Sequence, residues 1–220
     1  MKQRIYWKSL SVSLLLIGFL AEGCEESASR PLPLLGPYEV NDTIIDGMLN
    51  TDTTFTAVRP FSFTDQDGNE VTEVTTNGKV YITDFFFTSC PTICPKMKQQ
   101  MLRLYNDFED NDDVIFLSHS IDPKRDSVAR LHDYAEKLGI SSERWHLMTG
   151  ERDDIYSMAK HYMIAAQEDK LAPVGYAHSG AFLLVDKSKQ IRGIYDGTSA
   201  EEVDQLKEDI QKLLNDEAQP

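Results

Sequence analysis

The fold is decided by one stretch of the chain, residues 79–97, which reads KVYITDFFFTSCPTICPKM. Its first half is an apolar run rich in β-branched and aromatic residues, which predicts a buried strand over 79–87. Its second half predicts the start of a helix, because Pro95 has no N–H to donate and fits only the first helical turn. Cys90 is then expected on the loop between strand and helix, and Cys94 in the first turn.

Strands and helices alternate after this stretch, with one hairpin before it and another near the end of the chain. The predicted strands are 61–64, 79–87, 114–121, 145–148, 181–186 and 191–195, and the predicted helices are 97–108, 126–138, 155–162 and one opened by a capping box of Ser199 and Glu202. This order predicts an α/β domain, a central mixed sheet with helices on both faces, as in the thioredoxin-like fold. We assign residues 51–216 to this domain.

The amino-terminal residues have the pattern of an export signal. Three basic residues precede an apolar run over 10–20, which is shorter than the ~20 residues of a membrane-spanning helix and typical of a signal-peptide core. The run is followed by AEGC, residues 21–24, which resembles a bacterial lipoprotein cleavage site. We therefore predict a lipoprotein-type signal peptide over 1–23 and lipidation of Cys24, with an uncleaved signal anchor as the alternative. Polar, proline-dotted residues 24–50 are predicted to form a flexible linker.

The domain is accordingly expected outside the cytoplasm, attached to a membrane by a lipid. The chain of 220 residues has room for one sizeable core. Its formal net charge of −14 argues against a nucleic-acid partner, because neutralising phosphates requires clustered Lys and Arg.

Cys90 and Cys94 are one helical turn apart, and the spacing alone leaves several roles open. The amino terminus of a helix stabilises negative charge, so both thiols are expected to ionise more readily than a free cysteine. Thiolates select soft ions such as Cu(I) or Zn²⁺. Because Cys90 is expected on a loop, the pair can also close to a disulfide, which in the simplest interpretation is only structural.

A stable copper site needs a third ligand, and the chain has five histidines. His132, His146 and His161 lie among polar neighbours and are interpreted as surface residues. His119 lies near the carboxyl end of a predicted strand, where α/β proteins place ligands, but a satisfied half-buried histidine is the more ordinary interpretation. The position of His178, on a predicted loop just before a strand, does not decide its role.

Four motifs occur in a fixed order between about Phe61 and Leu214. They are TSCPTICP at 88–95, SIDPKRD at 120–126, WHLMTG at 145–150 and His178-Ser179. In this order and spacing the chain resembles the Sco/SenC family, copper-binding proteins involved in cytochrome c oxidase assembly. The resemblance implies a copper site formed by Cys90, Cys94 and His178, holding Cu(I) or Cu(II). It also implies delivery of copper to the binuclear copper centre in a subunit of the oxidase.

Asp84 suggests a second function. It lies six residues before Cys90, where thioredoxins keep a buried acid that moves protons for the cysteine pair. The residue is interpreted either as such an acid, with a pKa raised by burial, or as a solvent-facing strand residue. The first interpretation favours a thiol–disulfide oxidoreductase in which Cys90 attacks, Cys94 resolves and Asp84 carries the proton.

Two sequence features favour the copper-binding function over the oxidoreductase. The cysteines are separated by three residues rather than two, and Ser179-Gly180 stands where thioredoxin-like reductases place a proline. The prediction is therefore a metallochaperone rather than an enzyme. Both activities can coexist, because an oxidised Cys90–Cys94 pair cannot hold Cu(I) and needs a thiol reductant of the thioredoxin type. A redox-sensing or purely structural domain is the third interpretation.

Overall fold

A computed structural model gives the structure of the protein for residues 31–168 and 176–216. The predicted signal peptide at 1–23 and the predicted lipidation site Cys24 lie outside the described residues. Within the two described segments, none of the helices is long and apolar enough to cross a bilayer.

The chain forms eleven strands and four helices within the described segments. The strands are β1 (Tyr38–Ile45), β2 (Met48–Phe55), β3 (Ser62–Thr64), β4 (Glu70–Thr72), β5 (Val80–Phe86), β6 (Val114–Ser120), β7 (Trp145–Met148), β8 (Ala166–Glu168), β9 (Tyr176–His178), β10 (Ala181–Val185) and β11 (Ile191–Asp196). The helices are α1 (Cys94–Asp107), α2 (Val128–Leu138), α3 (Arg152–His161) and α4 (Ala200–Asp216).

A mixed sheet of five strands lies at the centre, in the order β11-β10-β5-β6-β7. Strands β5, β6 and β7 are parallel, whereas β10 runs antiparallel to β5 and β11 antiparallel to β10. Every residue of β5 and β6 is buried, as expected for inner strands covered on both faces. The predicted mixed α/β sheet is therefore confirmed.

Side chains alternate along β5 and β6, so each strand contributes to two separate cores. Ile82 and Phe86 of β5 pack with α1, α2 and α4, and we call this side the α1 face. Tyr81 and Phe85 of β5 pack with α3 and the β3–β4 hairpin, and we call this side the α3 face. Helices thus cover both faces of the sheet, as predicted.

The capping box predicted at the start of α4 is only half formed. Ser199 Oγ accepts a hydrogen bond from the N–H of Glu202 at 3.3 Å. The Glu202 carboxylate, however, accepts from the N–H of Asp196 at 2.6 Å and thereby ties the end of β11 to the helix. The N–H of Ser199 donates to the Asp196 carbonyl instead.

The predicted flexible linker over 24–50 is wrong for its second half, which belongs to a β-hairpin. Strands β1 and β2 pair in register from Tyr38–Phe55 to Ile45–Met48. Asp46 and Gly47 form the turn with φ values of 53° and 79°, as in the type I′ turns favoured by hairpins. The predicted domain start at residue 51 therefore falls inside β2.

A second difference concerns the segment that carries His178. The sequence predicts a loop there, whereas the backbone of His178 ends strand β9 and pairs with Ala166 of β8. The predicted strand over 181–186 begins three residues later as β10. His178 is therefore placed by a short two-stranded ladder rather than by a free loop.

Candidate metal centre

The two cysteines lie where β5 turns into α1. The chain leaves β5 through a tight turn in which the N–H of Cys90 donates to the Phe87 carbonyl at 3.2 Å. Helix α1 then begins at Cys94, with Pro95 in its first turn as predicted. Cys90 is half-buried, Cys94 is 2% exposed, and both are thiols.

The two thiols differ in acidity. Burial opposes ionisation of Cys90, but hydrogen bonds from the Cys94 thiol and from the backbone N–H groups of Cys94 and Thr92 outweigh it and lower the Cys90 pKa. The Thr92 hydroxyl contributes as well, with its Oγ1 3.6 Å from Cys90 Sγ. Burial raises the pKa of Cys94, and the hydrogen bond to Cys90 raises it further. The expectation that both thiols ionise more readily is therefore wrong for Cys94.

Asp84 is buried on the α1 face with 4% of its surface exposed, so the solvent-facing interpretation is wrong. Ser118 Oγ donates a hydrogen bond of 2.5 Å to Asp84 Oδ1 and accepts one of 2.9 Å from the indole nitrogen of Trp145. Burial raises the pKa of Asp84 to about 6, against the lowering effects of the Ser118 hydrogen bond and the Lys98 charge. A group with such a pKa can exchange a proton near neutral pH.

Lys98 is a site residue that the sequence reasoning missed. It lies on α1 one turn after Cys94 and is only 8% exposed. Its Nζ lies 3.5 Å from the ring centroid of Tyr134 and 4.5 Å from that of Phe86. The available signal was its helical spacing, because position 98 falls between Cys94 and Met101 on the apolar stripe of α1.

Asp126 holds the Cys loop to the end of β6. Its carboxylate accepts hydrogen bonds from the Thr88 N–H at 3.0 Å, the Thr88 hydroxyl at 2.5 Å and the Ser120 hydroxyl at 2.6 Å. Arg130 lies beside it, with Nε 3.4 Å from Asp126 Oδ1 and donating to Thr88 Oγ1 at 2.6 Å. The SIDPKRD motif therefore fixes the chain two residues before Cys90.

Tyr176 brings β9 to the same loop. Its hydroxyl donates to Asp122 Oδ1 at 2.9 Å, and its ring centroid lies 5.4 Å from that of Phe87. Phe87 comes three residues before Cys90, so the strand that carries His178 packs against the start of the Cys loop.

On the other side of His178, Gly180 and Ile93 line one pocket together. A Cβ placed on Gly180 would lie 3.8 Å from Cδ1 of Ile93, the residue directly before Cys94. The segment that carries His178 therefore contacts the start of the Cys loop through Tyr176, and Gly180 faces the same pocket as Ile93. The His178 side chain lies outside the description, and among the described side chains no three His, Cys, Asp or Glu residues converge as metal ligands.

His119 lies on the α3 face, on the opposite side of the sheet from Cys94. It is fully buried, stacks on Phe85 with ring centroids 4.7 Å apart, and its Nδ1 is 3.1 Å from the Thr83 hydroxyl. Burial lowers the His119 pKa to about 3, so the ring stays neutral. The residue is therefore completely rather than half buried, and it is only partly satisfied, because its Nε2 has no hydrogen-bond partner among the described residues.

The other three histidines do not behave alike. His132 is exposed as predicted and its Nδ1 is 2.8 Å from Asp67. The surface interpretation is wrong for His146, which is 8% exposed and pairs with Asp65 at 3.1 Å. His161 is half-buried and its Nε2 accepts a hydrogen bond from a backbone N–H.

Comparisons with known proteins identify the family and the fold. The SCO1/SenC family model matches residues 50–215. The SCO1 protein homolog of Bacillus subtilis (strain 168) is 30% identical over 155 residues, which cover 70% of this chain and 80% of that protein. A solved SCO1/SenC family lipoprotein from Bacillus anthracis str. Ames superposes with a TM-score of 0.66 at 30% identity, over 72% of this chain and 95% of that one.

A copper-bound ScoI from Arabidopsis thaliana superposes with a TM-score of 0.61 at 27% identity, over 73% of this chain and 99% of that one. These likenesses confirm the thioredoxin-like α/β fold predicted from the order of strands and helices. The family match begins inside β2, so β1 lies before it.

Proposed function

The chain belongs to the SCO1/SenC family, and we propose that it binds copper and serves the assembly of a cytochrome c oxidase. The observation that carries the proposal is the pair of unequal thiols on a loop fixed by Asp126, with β9 packed against the start of that loop. Thiolates are soft ligands that favour Cu(I) over hard cations. Copper is bound in the related ScoI from Arabidopsis thaliana.

We assign the ligands to Cys90, Cys94 and His178, and the cargo to Cu(I) or Cu(II). Cys90 is the entry ligand, because it is more exposed and its pKa is lowered. Cys94 is buried and hydrogen-bonded to Cys90, so its proton leaves as the ion is bound. The ladder of β8 and β9 supports His178, since Tyr176 of the same strand packs on Phe87 at the start of the Cys loop.

The proposed recipient is the copper-site subunit of a cytochrome c oxidase, in which the binuclear copper centre would be filled. The net charge of −14 suits an approach to a basic partner surface. An extracytoplasmic position with a lipid anchor on Cys24 is part of the proposal. It is supported by the leader pattern and by the lipoprotein character of the Bacillus anthracis relative.

The test is a competition titration of the reduced full-length chain, in detergent and without oxygen, against a chromophoric Cu(I) chelator. One copper per chain is expected, and Cys90→Ser, Cys94→Ser and His178→Ala should each weaken binding by orders of magnitude. His132→Ala is the matched control, because this exposed histidine pairs only with carboxylates of the described surface. Tight binding by the His178→Ala variant would remove that residue from the ligand set.

A thiol–disulfide oxidoreductase is the second candidate, favoured by the same asymmetry of the thiols. The Cys90 thiolate would attack a partner disulfide and release one partner thiolate. Cys94 would then lose its proton and displace the second partner thiol, which leaves a Cys90–Cys94 disulfide and a reduced partner. A reductant of the thioredoxin type would have to restore the dithiol before Cu(I) is bound again.

Asp84→Asn separates the two candidates. Asp84 is buried on the α1 face, where Cys94 also packs, and its pKa of about 6 suits a proton acceptor for Cys94. The variant should exchange thiols more slowly with a model disulfide while it keeps Cu(I) affinity within a few-fold. Equal exchange rates for both proteins would eliminate Asp84 as the proton carrier.

A further inference from the structure

The ammonium group of Lys98 is buried and has no hydrogen-bond acceptor among the described residues. The rings of Phe86 and Tyr134 hold it instead, through cation–π contacts of 4.5 and 3.5 Å. Buried lysines are ordinarily paired with an anion, because desolvation of a lone charge is costly. This side chain therefore requires an explanation that packing alone does not give.

The position of Lys98 relative to Cys94 supplies one. Residues four apart on a helix are neighbours, with Cβ atoms ~5–6 Å apart. Long helical side chains also lean back over the preceding turn. Lys98 follows Cys94 by four residues, so its stem leans toward the turn that begins with that thiol. The groups whose negative charge would favour the ammonium form fit this direction, because an ionised Cys94 would have the largest effect, followed by Asp84.

Copper binding would create the missing negative charge. When Cu⁺ replaces the two thiol protons of Cys90 and Cys94, two H⁺ are released and the CuS₂ unit carries a formal charge of −1. A neutral imidazole ligand would leave that charge unchanged. In a buried site such a charge is costly unless a cation stands close by.

We propose that Lys98 is the built-in countercharge of the copper–thiolate unit, a positioning residue that touches no metal but stabilises the loaded state. The inference rests on the proposed copper function. It explains why the ammonium group lies between two aromatic rings rather than in a salt bridge, since the Cys94 thiolate forms only on loading. Burial lowers the pKa of Lys98 to about 8, which leaves the group mostly protonated at pH 7.

The competing explanation is that Lys98 balances Asp84, which is buried on the same face of the sheet. The charges of both groups do act on each other. Asp84, however, already receives its hydrogen bond from Ser118 and not from Lys98. An experiment has to separate these two anions.

The experiment measures Cu(I) affinity of the reduced full-length chain by competition with a chromophoric Cu(I) chelator, without oxygen. Lys98→Met is expected to lower the affinity on the order of tenfold to a hundredfold, because it removes a countercharge from a poorly solvated site. Lys96→Met is the matched control, since it removes the same charge from an exposed position of the same turn. Solvent screens that charge, so the control should stay within about twofold of wild type.

Two further variants make the result decisive. Lys98→Gln also removes the charge but keeps a polar end, so it tests the same prediction should Lys98→Met fold poorly. Asp84→Asn/Lys98→Met is compared with Asp84→Asn alone. A loss that persists in this background supports the thiolate countercharge, and a loss that disappears assigns Lys98 to Asp84 and overturns the inference.

Failure of the inference and failure of the proposed function look different. Wild-type affinity in both neutral Lys98 variants would overturn the countercharge while leaving copper binding intact. Absence of Cu(I) binding by the wild-type chain would overturn both.

Discussion

The two faces of the sheet differ in the charge state of their buried polar groups. In the parallel ladder of β5 and β6, Asp84 is paired with Ser118, and the next pair along is Phe85 with His119. The first pair points to the α1 face and the second to the α3 face. On the α1 face burial raises the pKa of Asp84 to about 6, while it lowers that of Lys98 to about 8. Both groups therefore change charge close to neutral pH.

The α3 face holds three of its polar groups neutral. Burial lowers the pKa of His119 to about 3 and raises those of Tyr81 and Tyr162. The two phenols share a hydrogen bond of 3.0 Å, and the imidazole stacks on Phe85. Burial is nearly complete on both faces, so burial alone does not mark the chemical site. The mark is a set of opposite charges and thiols within reach of one another.

The largest predicted effect is that of removing the Phe85 ring. This effect should be limited to the stability of the fold. The ring is fully buried and stacks on His119, so Phe85→Ala is expected to cost ~3–5 kcal/mol of unfolding free energy. Urea unfolding measures the loss, and Cu(I) affinity of the folded protein should not change. The matched variant is Phe86→Ala on the α1 face, which should cost as much and also lower Cu(I) affinity, because that ring holds Lys98. The same affinity in both variants would break the distinction between the faces.

The second prediction concerns the pH dependence of stability, to which Asp84 and His119 contribute with opposite signs. The folded-state pKa of Asp84 is raised from 3.8 to about 6, so the folded chain binds this proton more tightly and stability falls as pH rises from about 4 to about 6. The folded-state pKa of His119 is lowered from 6.5 to about 3, so stability falls as pH drops from about 6.5 to about 3. Each contribution is on the order of 3–5 kcal/mol over its whole window.

Single variants uncover one contribution at a time. The stability of Asp84→Asn relative to wild type should increase as the pH rises from 4 to 6. His119→Gln should lose less stability than wild type as the pH falls from about 6.5 to about 3. Urea unfolding at several pH values measures both. Slopes of the same sign in the two difference curves would contradict the opposite roles of the faces.

The sequence was most informative where covalent constraints act. The missing N–H of Pro95 placed the start of α1, and the continuous apolar runs placed β5 and β6. Alternation along a strand also implies that Asp84 and Phe85 point to opposite faces. The sequences of these two strands do not show which face holds a second charge, because Lys98 belongs to helix α1.

Three features escaped the sequence reasoning for identifiable reasons. Asp46-Gly47 is a strong hairpin signal, but the polar composition around it was read as a linker. Lys98 is not predicted as a site residue, because a lysine on a helix is usually solvated. The ladder that holds His178 depends on pairing with β8, and a three-residue strand is too short to show a period.

The smallest predicted effect concerns the phenol pair on the α3 face. Tyr162→Phe removes one hydroxyl and leaves the buried Tyr81 hydroxyl without the partner it has at 3.0 Å. The cost is expected to be ~1–2 kcal/mol, because an orphaned buried donor loses its hydrogen bond and regains no water. Replacing both residues by Phe removes the orphan, so the double variant should recover most of that loss in urea unfolding. If the double variant instead lost the sum of the two single losses, the two hydroxyls would contribute independently of each other, and their shared hydrogen bond would not account for either loss.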